Sequence, residues 1–314
     1  MARPRCSSRR SKAPDSEHAV DRDDSSELRS PTSAEDDARS FEQLLYEEHR
    51  HVAAITLNRP RTRNALSMQL SDELVRALRL VSSSESTKVL VLRGAGGTFC
   101  AGDDINEMRQ WGDANSVMRR VRLYQEMADL LERLDKVTIA VVDGHAVGGG
   151  LELTMVCDFV IATERARWGM PEIDLGITPG WGGTSRMSRL IGRRRTKEVN
   201  FLGALHPASR AVEWGLWNRA VPDRRLDDEV DRLLELLASK NQQALRQLKL
   251  MIDRGAESDL HLAQGLEELS AGLTAAVNGA WEIDDADRGR GVDAFAAKSA
   301  LWQARRTLAR DFWV

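Results

Sequence analysis

Asp143-Gly144-His145-Ala146-Val147-Gly148-Gly149-Gly150-Leu151-Glu152-Leu153 is the stretch on which the reading of this chain turns. It follows residues 137–142, a short apolar run with the composition of a buried strand, which the Asp143-Gly144 pair brings to a stop. Three successive glycines then open residues 148–157, which read as a helix, and residues 158–162 read as the next strand. Strand, glycine turn, helix and strand in succession point to an α/β fold. Within the helix, Leu151, Leu153, Met155 and Val156 surround Glu152. An apolar setting is expensive for a carboxylate without a partner, a proton or a chemical task.

The same alternation extends in both directions. Residues 41–46 and 52–57 read as two strands joined by a polar turn at 47–50, and Asn58-Arg59-Pro60 ends the pair because proline cannot continue a ladder. Ser67 is a good N-cap for a helix that buries Leu70, Leu74, Leu78 and Val81. Residues 88–92 form a short buried strand closed by Gly94-Ala95-Gly96-Gly97, and residues 121–134 form an amphipathic helix. Past residue 226 the strand signal disappears. Residues 226–239, 241–254, 259–277 and 284–300 all carry helical spacing.

Composition sets outer bounds. The 314 residues suffice for one large domain or two modest ones, and 42% apolar with 30% charged content fits a soluble globular protein. Forty-five basic against 48 acidic residues, a net charge of −3, give no reason to expect nucleic-acid binding. No apolar run approaches the ~18 residues that span a bilayer. Cys6, Cys100 and Cys157 are too few and too scattered for a disulfide framework or a zinc site, so a reducing, cytoplasmic setting is expected. Residues 1–40 are poor in aliphatics, lack aromatics and are rich in Ser, Arg, Asp and Glu, a composition expected to stay disordered. Arg3, Arg5, Arg9, Arg10 and Lys12 look like the start of an organelle-targeting peptide, but the acids from Asp15 onward favour a solvated tail.

Two loops offer backbone donors: Phe99-Cys100-Ala101-Gly102-Asp103-Asp104, and Gly148-Gly149-Gly150 at a helix start. Glycines let a backbone approach a ligand closely, and helix N-termini present free N–H groups. Two such groups converging on one oxygen make an oxyanion hole. Glycine runs also serve merely to permit tight bends. A second acid, Glu172, follows Trp168-Gly169-Met170-Pro171 and precedes Leu175-Gly176-Ile177-Thr178-Pro179-Gly180.

Taken in order, Leu57-Asn58-Arg59-Pro60 with Asn64-Ala65-Leu66, the 99–105 loop, residues 143–153, Cys157-Asp158, Pro171-Glu172 and Gly176–Thr184 resemble the crotonase superfamily, and within it the enoyl-CoA hydratases. The resemblance runs from about residue 41 to 298 and weakens after Val221. It implies a spiral of ββα units over residues 41–226. A helical region, 227–314, would follow and pack trimers, which stack as hexamers. It implies an acyl-CoA thioester substrate, coenzyme A being part of that substrate, and neither a metal nor a further cofactor. The N–H groups of Asp103 and Gly149 would polarise the thioester carbonyl. Glu152 would activate water and Glu172 would deliver a proton to C2. Gly180 would line the reacting end. Arg61 and Arg63 would lie beside the nucleotide, as phosphate contacts or as solvated surface. Ala65, Asp104 and Ile105 would surround adenine and pantetheine, and Lys298 would reach a CoA phosphate. Asp103 stands where the family often has a small apolar residue, and Trp168 and Trp181 are bulkier than usual. Residues 106–120, with Met108, Trp111 and Met118, match the loop that shapes the acyl pocket.

The activity so implied is reversible hydration of a trans-2-enoyl-CoA to a 3-hydroxyacyl-CoA. The enzymatic alternative is a 3,2-enoyl-CoA isomerase using Glu172 alone. From another class, an RNA-binding relative of the superfamily would use the basic start of the tail.

Overall fold

In the computed structural model, which describes residues 40–277 and residue 309, the first two strands form an antiparallel hairpin. Its strands are Leu44–His49 (β1) and Val52–Leu57 (β2), paired from Leu44 against Leu57 to His49 against Val52. The first strand therefore lies three residues later than the apolar run 41–46 predicts. Glu47, Glu48 and His49, read as turn because they are polar, belong to the edge strand, where side chains meet solvent. Reversal is confined to Arg50 and His51, with Arg50 at φ 54°.

Ser67 caps the helix Met68–Ser83 (α1) by accepting from the Leu70 N–H at 3.0 Å, and Leu70, Leu74, Leu78 and Val81 are buried, as their spacing predicts. Val89–Gly94 (β3) follows, then the short helix Ile105–Met108 (α2) and the long helix Ala114–Glu132 (α3). Helix α3 starts seven residues before its first predicted position. Asp113 caps it, its carboxylate accepting from the Ser116 N–H at 2.9 Å, and the polar first turn hid the helix from an apolar-periodicity reading. Val137–Val142 (β4), His145–Val147 (β5), the helix Gly149–Met155 (α4), Phe159–Thr163 (β6) and Arg167–Gly169 (β7) come next. Ser185–Leu202 (α5), His206–Pro207 (β8), Ala208–Trp214 (α6) and Arg219–Val221 (β9) complete the α/β part, and the helices Leu226–Ala238 (α7), Gln242–Gly255 (α8) and Leu260–Val277 (α9) end the described chain. The helix expected at 284–300, Lys298 and the tail of residues 1–39 lie outside the described residues.

A six-stranded sheet runs β1-β2-β3-β4-β6-β9, parallel from β2 onward, and a second sheet runs β5-β7-β8. The parallel strands are apolar on both faces, as parallel sheets must be when helices cover both sides. Leu90, Leu92, Ala140 and Val142 face one core with Leu70, Leu74, Tyr124, Met127 and Leu131 of α1 and α3. Val89, Val91, Ile139 and Val141 face the other, covered by Val230, Leu233 and Leu237 of α7. Helix α7 thus packs on the sheet itself. Helix α8 is tied to the sheet through Lys249, whose ammonium donates to the Asp158 carboxylate at 2.9 Å and the Lys136 carbonyl at 3.1 Å. No helix among the described residues is long and apolar enough to cross a membrane.

Candidate active site

The two donor loops are stitched together by backbone. Cys100 N–H donates to the His145 carbonyl at 3.0 Å, and Val147 N–H donates to the Cys100 carbonyl at 3.0 Å. Gly150 makes that approach possible: a Cβ there would lie 2.2 Å from the Cys100 carbonyl oxygen. Backbone cannot yield as a flexible side chain does, so Gly150→Ala is expected to cost roughly 3 kcal/mol of stability, the upper end for overpacking. Chemical denaturation would measure it.

On the first loop, Leu66 N–H donates to the Gly102 carbonyl (2.8 Å) and Asp104 N–H donates to the Leu66 carbonyl (3.1 Å). Extended backbone alternates, so the intervening Asp103 N–H is turned away from Leu66. Gly102, at φ 91°, backs onto the other loop: a Cβ on it would sit 2.9 Å from the Val147 carbonyl oxygen and 3.3 Å from the Gly149 nitrogen. Gly149 occupies the first turn of α4, where an N–H has no partner within the helix. Neither N–H donates a hydrogen bond among the described residues.

Asn64 stands in a motif of the sequence that gives no hint of its role: buried, its side chain fixes this loop. Its Oδ1 accepts from Arg59 N–H at 2.8 Å and its Nδ2 donates to the carbonyls of Ala95 (2.9 Å), Thr98 (2.7 Å) and Phe99 (3.2 Å).

Glu152 projects from α4 and is buried. Its Oε1 accepts from the N–H groups of Trp181 (3.1 Å) and Gly183 (2.7 Å), leaving Oε2 without a hydrogen bond among the described residues. Burial pushes its carboxyl up to about 8, against the two N–H donors, with Glu172 and Asp103 adding like charge nearby. Arg186 holds the donor loop in place, donating to the Trp181 carbonyl at 2.6 Å while paired with Glu132 at 2.7 Å. Gly180 begins the same loop; its carbonyl accepts from Gln125 at 2.9 Å, and a Cβ on it would meet Val121 of α3 at 3.2 Å.

Glu172 lies in the 3-10 turn Pro171–Leu175, close enough to Glu152 for its charge to be felt there. Its Oε1 is 2.9 Å from where a Cβ on Gly148 would stand, and its buried Oε2 has no hydrogen-bond partner among the described residues. Burial raises this carboxyl to about 7, with Asp103 adding to it. Even with both N–H donors lowering it, the Glu152 carboxyl stands above that of Glu172, so the unliganded pair holds its shared proton mainly on Glu152, and a base role for Glu152 asks for the form with that proton on Glu172. At neutral pH the two acids titrate as a pair.

Glu152, Glu172, Asp103, Gly149 and Gly180 are therefore brought together. The residues expected around coenzyme A are arranged less simply. Arg61 and Arg63 are exposed, and Ala101 N–H donates to the Arg63 carbonyl at 3.0 Å, which places Arg63 beside the first loop. Ala65 is buried and its carbonyl accepts from Arg59. The Asp104 carboxylate turns inward to Arg59 at 2.9 Å and caps α2 through Asn106 N–H at 3.0 Å, so its side chain is engaged within the fold. Ile105 is 55% exposed. Among the described residues no group of His, Cys, Asp or Glu could hold a metal ion.

The family model described as enoyl-CoA hydratase/isomerase matches residues 47–303 of this sequence. The chain belongs to that family. Among similar proteins, the crotonyl-CoA hydratase of Syntrophomonas wolfei is 34% identical over 260 residues, covering 82% of this chain and 96% of that one. The crystal structure of an enoyl-CoA hydratase from Bacillus anthracis superposes with a TM-score of 0.74 at 35% identity, covering 82% and 97% of the two chains. A Thermobifida fusca family member solved in complex with acetoacetyl-CoA superposes with a TM-score of 0.70 at 31% identity, covering 78% and 98%. The α/β architecture with its helical C-terminal part is thus the family's fold.

Proposed function

We propose that this protein catalyses the reversible hydration of trans-2-enoyl-CoA thioesters to 3-hydroxyacyl-CoA. The observation that carries the reading is the placement of two acids, from separate elements, around a glycine-lined pair of backbone N–H groups. The N–H groups of Asp103 and Gly149 bind the thioester oxygen, where negative charge grows as water adds to C3. Glu152 Oε2 takes a proton from that water, whose oxygen bonds to C3. The π pair moves to C2 and draws a proton from Glu172, and proton exchange with solvent restores both acids. No electrons leave the substrate, so the reaction asks for no redox group. Relatives named for crotonyl-CoA and enoyl-CoA hydration, and one solved with acetoacetyl-CoA, support the substrate class.

Incubation with crotonyl-CoA should remove the conjugated thioester absorbance; a protein that instead creates that absorbance from a 3-enoyl-CoA, and leaves crotonyl-CoA intact, is an isomerase. The rate should also depend on pH as a narrow bell in kcat/KM. Below about 7 both acids hold protons and no base remains; above about 8 both are ionised and no acid remains. A flat profile between pH 5 and 9 would contradict the pair.

We further place the division between core and helical region near residue 226, with the helices that follow the sheet-packed α7 joining protomers as a trimer or a pair of trimers. Leu250, Ile252, Leu262 and Leu269 of α8 and α9 are each at least half exposed, which supports a covered surface. The free thiols of Cys100 and Cys157 fit a reducing, cytoplasmic setting.

A further inference from the structure

Four buried polar atoms with no hydrogen-bond partner among the described residues run outward from Asp103, whose carboxyl adds to the charge at both glutamates: Asp103 Oδ1, Tyr124 Oη, Arg120 Nη1 and Trp111 Nε1. Native folds leave only a few such groups per hundred residues, so several gathered in one place ask for an explanation. Asp103 Oδ1 lies 3.6 Å from where a Cβ on Gly149 would stand, against the helix start that supplies an N–H donor. The Tyr124 hydroxyl faces the Asp103 carboxyl closely enough to favour its charge, short of good hydrogen-bond geometry. Arg120 stands one turn before Tyr124 on α3. It stacks over the Trp111 ring at 5.4 Å and pairs with Glu107 through its other nitrogen. The Tyr124 ring packs on Trp181 at 5.6 Å, and Trp181 N–H holds Glu152. Arg120 is 9% exposed and Tyr124 1%, so solvent does not satisfy them.

We propose that Asp103, Tyr124 and Arg120 form a polar acyl subsite and that the preferred acyl chain carries a hydroxyl at C4 or C5, beyond the reacting double bond. This rests on the acyl-CoA reading above and deepens it. Asp103 Oδ1 offers an acceptor, Arg120 Nη1 and Trp111 Nε1 offer donors only, and the tyrosine hydroxyl serves either way. A hydroxyl both donates and accepts, and so completes the set. A carboxylate would face three acids, an ammonium would face Arg120, and a plain alkyl chain would leave Asp103 and Tyr124 only each other and give Arg120 Nη1 and Trp111 Nε1 nothing. Asp103 also stands where negative charge would oppose an enolate. Burial raises its carboxyl to about 6, so near neutral pH it is mostly ionised, and a substrate hydroxyl donating to it would offset that opposition.

The test compares binding of saturated thioesters, which offer no alkene to hydrate, to the full chain by calorimetry: 4-hydroxybutanoyl-CoA against butanoyl-CoA, and 5-hydroxypentanoyl-CoA against pentanoyl-CoA, each hydroxylated ester freshly prepared and checked for CoA lost by lactonisation. The hydroxylated member of at least one pair should bind about tenfold more tightly or better. Tyr124→Phe, which keeps the ring, and Asp103→Ala should each bring that ratio to within about twofold. Equal affinity within both pairs, or a ratio unchanged in Tyr124→Phe, overturns the proposal. Crotonyl-CoA hydration assayed alongside separates the two claims: a protein that hydrates nothing yet shows the ratio keeps the subsite and loses the activity.

Discussion

Glu152→Gln should lower kcat for crotonyl-CoA hydration by about 10²–10⁴-fold, the span of a positioned proton acceptor, with KM little changed. The amide Oε1 can still accept from Trp181 and Gly183, so the loop that those N–H groups belong to keeps its anchor. What is lost is an acid able to take a proton from water. Stability should move the other way. The Glu152 carboxyl is raised from 4.5 to about 8 in the folded chain. Its contribution is therefore fully present below the unfolded value and declines as pH rises through the folded one. The variant carries no such dependence. At pH 5 the two proteins should melt together. At pH 9 Glu152→Gln should melt higher, roughly 2–4 °C for each kcal/mol relieved in a chain of this size. An inactive variant that melts lower at both pH values would mean that the residue is structural. Any residual proton shuttling from 3-enoyl-CoA would then report on Glu172 alone.

Gly149→Pro, compared with Gly149→Ala, should test one backbone donor. Proline is tolerated at the first helical position, where its missing N–H breaks no helical hydrogen bond. Gly148, at φ 53° and ψ −125°, occupies the mirror image of the extended region that a residue before proline prefers. Both variants add a Cβ 3.0 Å from Trp181 Cζ2 and 3.2 Å from Leu66 Cδ1, and proline also puts a ring Cδ on the nitrogen, so its loss combines the missing donor with exclusion of the thioester oxygen from that position. Only proline removes the N–H. Its kcat should fall about 10²–10³-fold below that of the alanine variant, the effect of deleting one oxyanion donor. Equal rates in the two variants would remove Gly149 from the oxyanion hole.

Much of the site was legible from residue order, because the parts that act through backbone need glycines, and glycines leave a pattern. Glu152 announced itself as a carboxylate among leucines, and α1 as a leucine stripe behind a serine cap. Other parts left no such trace. Asn64 looks like any loop asparagine until its side chain is found holding the Arg59 N–H and three carbonyls. Arg186 is one arginine among many on α5, yet it secures the Trp181 loop. The start of α3 was missed for a related reason: its first turn faces solvent, and exposed positions carry no apolar period.

From residue order alone came the α/β alternation, the glycine-opened helix and the identity of both acids, since local conformational preference and burial pattern are properties of neighbouring residues. Tertiary structure decided what those acids meet. Residues separated by 20 or 30 positions share a site only when strands and loops close on one another. Desolvation and hydrogen bonding are then set by groups that the chain supplies from elsewhere. So Glu152 receives its two N–H donors from the 181–183 loop, and Asp103 finds Tyr124 and Arg120 across the fold.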